Sequence, residues 1–337
     1  MSLSKSQRLI LSASAVAIFA IVVSNHFRDR EAVAPLLQRN AVRGAVRYTA
    51  PHTESRGTLL KTSAVAVPKA RHNWAKEYNA STDYFKFVSN AAQNAFDGDG
   101  GASLYISKAL YVCLPIARQF ANSADPEAAF SAHWANATKA PQWVVDQARK
   151  DFDRCKEFIK GDAFSALPAR PGGYNSSSYW MAHAIKDQNP VALALQAGTD
   201  IADSMNGQSG TASEKSIETA QIAINKAVTS GDPAALFQVG QLLSDGGVNS
   251  NPLQGFAVSI AACDLGYDCT ANNAELFGGC AAEGMCPPGT SYSDVIKKAV
   301  GEDGYAKAYA IAQQLEYAIT RGDITAVKQF VQLKRNQ

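Results

Sequence analysis

The chain has 337 residues, enough for one large domain or two smaller ones, and is 46% hydrophobic and 18% charged, the ordinary composition of a folded protein with a sizeable core. Its formal net charge of +2 is unevenly spread: residues 1–80 carry 12 Lys and Arg against 4 Asp and Glu, a net +8, which leaves 20 basic and 26 acidic residues, a net −6, for the rest. An acidic body argues against nucleic-acid binding by the folded part.

Lys5 and Arg8 precede the apolar run Leu9–Val23. A basic start followed by about fifteen apolar residues has the layout of a secretory signal, and a spanning helix needs roughly twenty. Residues 1–24 therefore read either as a cleaved signal peptide or as an uncleaved membrane anchor. Val22 and Ser24 supply small residues for cleavage, though no A-x-A site stands there. Arg28, Arg30, Arg39 and Arg43 follow the run and favour keeping that side in the cytoplasm, whereas the cysteines argue for export. Residues 25–76 carry scattered Arg, Ser, Thr and Pro without helical or alternating periodicity, which reads as a flexible basic tether.

From residue 77 the apolar spacing becomes helical, and no alternating stretch appears, so the expected fold class is all-α. A first helix is expected from Ser81 to Phe96, capped by Ser81 or Thr82. Asp97-Gly98-Asp99-Gly100-Gly101 reads as a loop that ends it. An EF-hand would need a carboxylate eleven positions after Asp97, and Lys108 stands there. A long helix follows from about Leu104 to Ala121, with Pro115 inside it as a predicted kink. Asp125-Pro126 and Pro141 open two more helices. Pro168, Pro171, Gly172 and Gly173 then mark a break between an N-terminal helical subdomain, 77–160, and a second, 176–337.

In the second subdomain one unit recurs. Ile217, Ala220, Ile224, Ala227 and Val228 form one helical face. Gly231 closes that helix, Asp232 caps the next, and Pro233 fits its first position, where a missing N–H costs nothing. Leu236, Val239, Gly240 and Leu243 form the following face, with Gly240 small enough for close helix approach. Gly246-Gly247 and Asn251-Pro252 lead into a third helix ending near Gly266. Ala184-Ile185 to Asn189-Pro190 repeats the pattern 43 residues upstream, and Ala318-Ile319 to Gly322-Asp323 repeats it near the C-terminus. The expected architecture is an irregular stack of helical hairpins, each burying a face only against its neighbours.

On Ala227, Gly231-Asp232, Ala235, Gly240, the Asp245-Gly246-Gly247-Val248 turn, Ala257, Ala261-Ala262 and Gly266, the stretch 217–268 resembles the Sel-one-like branch of the tetratricopeptide-repeat superfamily. The resemblance covers about one repeat, and a Cys-rich insertion follows where the family would continue. It implies an α-solenoid-like scaffold that binds a protein or peptide.

All six cysteines lie in the body: Cys113, Cys155, Cys263, Cys269, Cys280 and Cys286. An even number behind an export signal predicts disulfides. The preferred pairs are Cys113–Cys155, between neighbouring long helices, and two local loops, Cys263–Cys269 and Cys280–Cys286, each turning at a glycine. Zinc is the competing reading, but paired zinc ligands favour gaps of two to four residues and both gaps here are five.

His26, His52 and His72 fall in the tether, and His133 and His183 read as half-buried packing residues beside Trp134 and Trp180. No G-x-S-x-G elbow, phosphate-binding glycine loop or H-E-x-x-H pair is present, so no catalytic residue, cofactor or metal is assigned. Asp146, Asp151, Asp153 and Glu157 crowd one helix as a solvated face. The functional expectation is an exported scaffold, periplasmic or secreted, for a protein or peptide partner in the cell envelope, touching the membrane through residues 9–23 if uncleaved. The alternative is an all-α hydrolase of an envelope polymer using paired carboxylates, for which a deep cleft with a buried acid or His would be diagnostic.

Overall fold

In the computed structural model, residues 72–135, 142–160, 176–205, 214–244, 252–270, 273 and 289–333 are described. The apolar run Leu9–Val23 and the tether up to residue 71 lie outside them. Among the described residues the protein is all-α, with twelve helices: α1 (Trp74–Ala80), α2 (Tyr84–Phe96), α3 (Gly100–Phe120), α4 (Pro126–Ala135), α5 (Gln142–Ile159), α6 (Ser177–Lys186), α7 (Pro190–Met205), α8 (Glu214–Thr229), α9 (Pro233–Ser244), α10 (Pro252–Asp264), α11 (Tyr292–Thr320) and α12 (Ile324–Phe330).

Among the described residues one turn recurs at four helix junctions. At Gln188 the chain enters the left-handed region (φ 58°), the Gln188 N–H donates to the Ile185 carbonyl, and the Asn189 N–H reaches back to the Ala184 carbonyl at 2.9 Å. This closes α6 by satisfying carbonyls that have no partner within the helix. Asn189 then turns its side-chain oxygen to the Val191 and Ala192 N–H groups, both at 3.0 Å, and so starts α7. Gly322 and Asp323 make the same pair of backbone bonds between α11 and α12, and Asp323 caps Ala326 at 3.0 Å. Gly231 and Asp232 do so with one change. There the Ser230 hydroxyl donates to the Ala227 carbonyl and accepts from the Asp232 N–H, relaying the bond that the other turns make directly.

A fourth turn of this kind corrects the sequence reading. The loop expected over Asp97–Gly101 is confined to Asp97–Asp99: Gly98 is left-handed (φ 92°), the Asp99 N–H bonds the Asn94 carbonyl, and Asp99 caps α3 through the Gly101 and Ala102 N–H groups. The long helix thus begins at Gly100, four residues before the expected Leu104. The glycines are there for packing. A Cβ on Gly100 would lie 3.1 Å from the Asn189 Cβ, and one on Gly101 would lie 3.0 Å from the Trp74 ring. The turns at Gly98 and Gln188 are therefore neighbours in space. Two further boundaries move. Asp83, not Ser81 or Thr82, caps α2 through the Lys86 N–H. The first described helix begins at Trp74, within the stretch expected as tether, and is tied to the body: the Trp74 indole N–H donates to Asp99 at 2.9 Å and its ring is buried.

α3 lies against α1, α2, α5 and α6, and α7 to α11 continue the packing in sequence. Pro115 sits inside α3, which continues through it to Phe120. Although 77–160 and 176–337 read as two subdomains, a single apolar core holds residues from Trp74 to Leu333. Across the break the Phe96 and Trp180 rings meet at 5.2 Å, and the buried Ser107 hydroxyl donates to the Ser177 carbonyl at 2.7 Å. Among the described residues α3 is the one helix long and apolar enough to cross a membrane, and most of it is buried in this core.

α9 and α10 approach more closely than any side chain would permit. A Cβ on Gly240 would stand 2.6 Å from the Ser259 nitrogen, and one on Gly255 would stand 2.1 Å from the Ser244 nitrogen. α11 carries one non-helical residue, Gly301 (φ 76°, ψ 170°), so its 29 residues are two helical segments joined at a kink. α4 is held differently from the rest. Phe130 joins Phe120, Phe152 and Ile159 in a small cluster separate from the main core.

Candidate functional site

Two of the three cysteine pairs read from the sequence are joined. Cys113 on α3 bonds Cys155 on α5, both fully buried. Cys263, one residue before the end of α10, bonds Cys269 after a left-handed turn at Gly266 (φ 108°). The Tyr267 N–H reaches the Ala262 carbonyl across that turn, and the Tyr292 N–H at the start of α11 bonds the Cys269 carbonyl. Cys280 and Cys286 lie outside the described residues. Both observed bonds point to an oxidising, extracytoplasmic environment. Their sulfurs are spent on each other, which leaves Cys263 and Cys269 no thiolate for zinc.

The carboxylates of α5 do not converge. Asp153 pairs with Arg149 (3.2 Å) and Lys156 (2.8 Å), which also reach Glu127 on α4 at 2.7 and 2.6 Å. Hydrogen bonds from Lys156 and Arg149 hold the Glu127 carboxyl below its ordinary range. Partial burial works against Asp153, and the same two cations still bring it below the usual value. The Arg149 guanidinium also covers the Phe130 and Phe152 rings, at 5.3 and 5.4 Å. Asp151, two residues from Asp153 and so more than half a helical turn round, faces elsewhere. Burial pushes it up, opposed by the Gln147 amide and Arg154. Asp146 accepts from Gln142, and Glu157 pairs with Lys160. Asp146, Asp151 and Glu157 thus each have a local partner of their own, and Asp153 shares its two cations with Glu127.

The histidines act as packing and surface groups. His183 is half-buried with its ring 4.5 Å from Tyr179, and burial lowers its pKa, with Lys186 adding to the effect. His133, expected to be half-buried, is exposed and meets Gln119 at 3.3 Å. His72 pairs with Glu77. Among the described residues no group of three or more His, Cys, Asp or Glu is gathered as metal ligands.

A surface hollow lies at the last helical hairpin. It measures about 510 Å³ and opens between the end of α11 and α12, lined by Gln314, Tyr317, Ala318, Arg321, Asp323, Ala326, Gln329 and Phe330. The turn at Gly322 sets the two helices against each other. The chain beyond α12 is clamped to α8, where the Gln221 amide donates to the Val331 carbonyl (3.2 Å) and accepts from the Leu333 N–H (2.7 Å). Gln254 on α10 donates to the Phe330 carbonyl. Tyr317 stands 61% exposed at the rim. The Arg321 guanidinium lies 5.2 Å from the centre of that ring and donates to its hydroxyl. Ile324, 40% exposed, adds apolar surface at the start of α12.

Tyr317, Arg321 and Phe330 were not singled out by the sequence. The signal available was the i, i+4 spacing of Tyr317 and Arg321 just before the recognised Gly322-Asp323 turn, which stacks the two side chains on one helix face. A second hollow, of about 320 Å³, lies beside α1 and α2 and includes Glu77, Asp83, Lys86 and Asn90. Asp83 is already engaged there as a helix cap.

Compared with protein-family models, with curated proteins and with solved structures, the chain matches none.

Proposed function

We propose that the chain is an exported helical-repeat scaffold that binds a protein or peptide partner in the cell envelope. On this reading residues 1–24 direct export, either as a cleaved signal or as an anchor in the inner membrane, and the body works in the periplasm or outside the cell. The disulfides support export, and the repeated turn supports the resemblance to Sel-one-like hairpins. The observation that carries the binding role is the exposed Tyr317–Arg321 pair at the rim of the hollow between α11 and α12. Tyr and Arg are the residue types most enriched where partners bind tightly, because each combines a large apolar surface with directed hydrogen bonds. Neither nucleic acid nor a cofactor enters this reading.

The test is photo-crosslinking in the native envelope with benzoylphenylalanine in place of Tyr317, and in place of Lys150 on α5 as a control. A discrete adduct from position 317 and none from position 150 is expected. The absence of any adduct at position 317, or the same adducts from both positions, would contradict the assignment.

A further inference from the structure

The α11–α12 hollow is lined by one cation, Arg321, and one anion, Asp323, and the two are engaged differently. Arg321 is exposed, and its contacts are with the hydroxyl and ring of Tyr317. Among the described residues no carboxylate forms an ion pair with it. The one acid lining the hollow, Asp323, has its carboxylate turned to the Ala326 N–H as the cap of α12. Gln314 and Gln329 are neutral. A guanidinium carries five N–H donors and no acceptor, and the bond to the Tyr317 hydroxyl engages one of them. Beside it, Phe330 and Ala326 form an apolar floor fixed from behind by the bond from Gln254 to the Phe330 carbonyl.

We infer that this hollow takes a short acidic peptide segment, seating an apolar side chain between Tyr317 and Phe330 and a carboxylate on the Arg321 guanidinium. Charge disfavours two basic stretches of the chain itself as the occupant. Residues 334–337, Lys-Arg-Asn-Gln, carry two cations and no acidic side chain, and residues 1–71 carry a large excess of Lys and Arg. Either would set cation against cation. The inference rests on the scaffold reading and specifies the ligand of that same site.

The experiment uses the full chain in detergent micelles against three sets of synthetic dodecapeptides. In each set a central Leu, Ile or Phe is flanked by Asp and Glu, by Lys and Arg, or by Ser. The acid-flanked set is expected to bind best, more weakly as salt rises. Arg321→Ala should weaken it about tenfold or more, and Arg321→Glu should transfer the preference to the Lys- and Arg-flanked set. Tyr317→Ala should weaken acidic and neutral peptides alike. Arg321 and Tyr317 are surface residues, so an unchanged circular dichroism melt accompanies these losses.

A preference for basic or uncharged peptides, no effect of Arg321→Ala, or no peptide binding at all overturns the inference. So does a wild-type dimer that Arg321→Glu splits, since the occupant would then be a second copy of the chain. A crosslinked partner at position 317 together with failure here leaves the scaffold reading standing without this ligand. Failure of both removes both.

Discussion

Replacing Cys113 and Cys155 together by Ala should destabilise the body about twice as much as replacing Cys263 and Cys269. The bridges span sequence separations of 42 and 6 residues. A cross-link stabilises largely by restricting the unfolded chain, and the restriction grows with the logarithm of the loop, which gives about 4 kcal/mol for the long bridge and about 2 kcal/mol for the short one. Burial acts in the same direction. Both sulfurs of the long bridge are fully buried between α3 and α5, whereas those of the short bridge are half-buried at a helix end. Truncation therefore leaves unfilled space only at the first site. At about 2 °C per kcal/mol for a body of this size, the melting temperature should fall by about 8 °C and about 4 °C respectively. The assay is thermal unfolding followed by helical circular dichroism without reductant, on the wild type and the two double variants. A local-pair variant that melts as low as the Cys113/Cys155 variant would refute the reasoning, because neither loop length nor burial would then govern the outcome.

Four more outcomes are expected. Gly255→Ala and Gly240→Ala should each destabilise by about 3 kcal/mol, since their Cβ atoms meet backbone. Gly198→Ala, whose Cβ finds only the Leu242 side chain at 3.9 Å, should stabilise by up to about 1 kcal/mol through helix propensity, all three read by urea unfolding. Gln188→Gly should stabilise by about 1 kcal/mol by relieving a left-handed conformation at a side-chain-bearing residue, and Gly322→Ala should lose a similar amount, by the same assay. The Glu127 and Asp153 carboxyls are held below their ordinary range, so their contribution to holding α4 is present above the unfolded-state carboxyl pKa and is lost as pH falls through the lowered folded-state values. Hydrogen-exchange protection of α4 amides, corrected for the intrinsic rate at each pH, should therefore fall on acidification before that of α3, and Glu127→Gln should mimic the effect at neutral pH. Finally, a mild reductant on the native protein should open Cys263–Cys269 well before the buried Cys113–Cys155, as mass spectrometry of alkylated peptides would record.

The helical class and the hairpin turns were legible because they rest on local chemistry. Asp or Asn followed by Pro sets a helix start, and Gly sets the left-handed stop before it, as at Gly231-Asp232-Pro233. The turn at Gly98 was hidden by its own glycines. Gly100 and Gly101 are poor helix formers, and what places them in a helix is the crowding of Asn189 and Trp74, which no local pattern records. At Gln188 the stop residue is not a glycine, so the turn was recognisable only by its Asn-Pro cap. Gly255 escaped for a related reason, since its lack of a side chain matters only through α9 lying against it. The hollow between α11 and α12 was the least legible feature. Tyr317 and Phe330 sit on successive helices, and Tyr317 reads as an ordinary core residue until the packing of α12 on α8 and α10 leaves it outside.

Export is the claim on which the account depends most, and the thiol state of the protein taken from its native compartment tests it directly. Non-reducing mass spectrometry should find the peptide containing Cys113 linked to that containing Cys155, and Cys263 linked to Cys269, with neither pair open to alkylation before reduction. Free thiols at those four positions would contradict export, and with it the envelope scaffold.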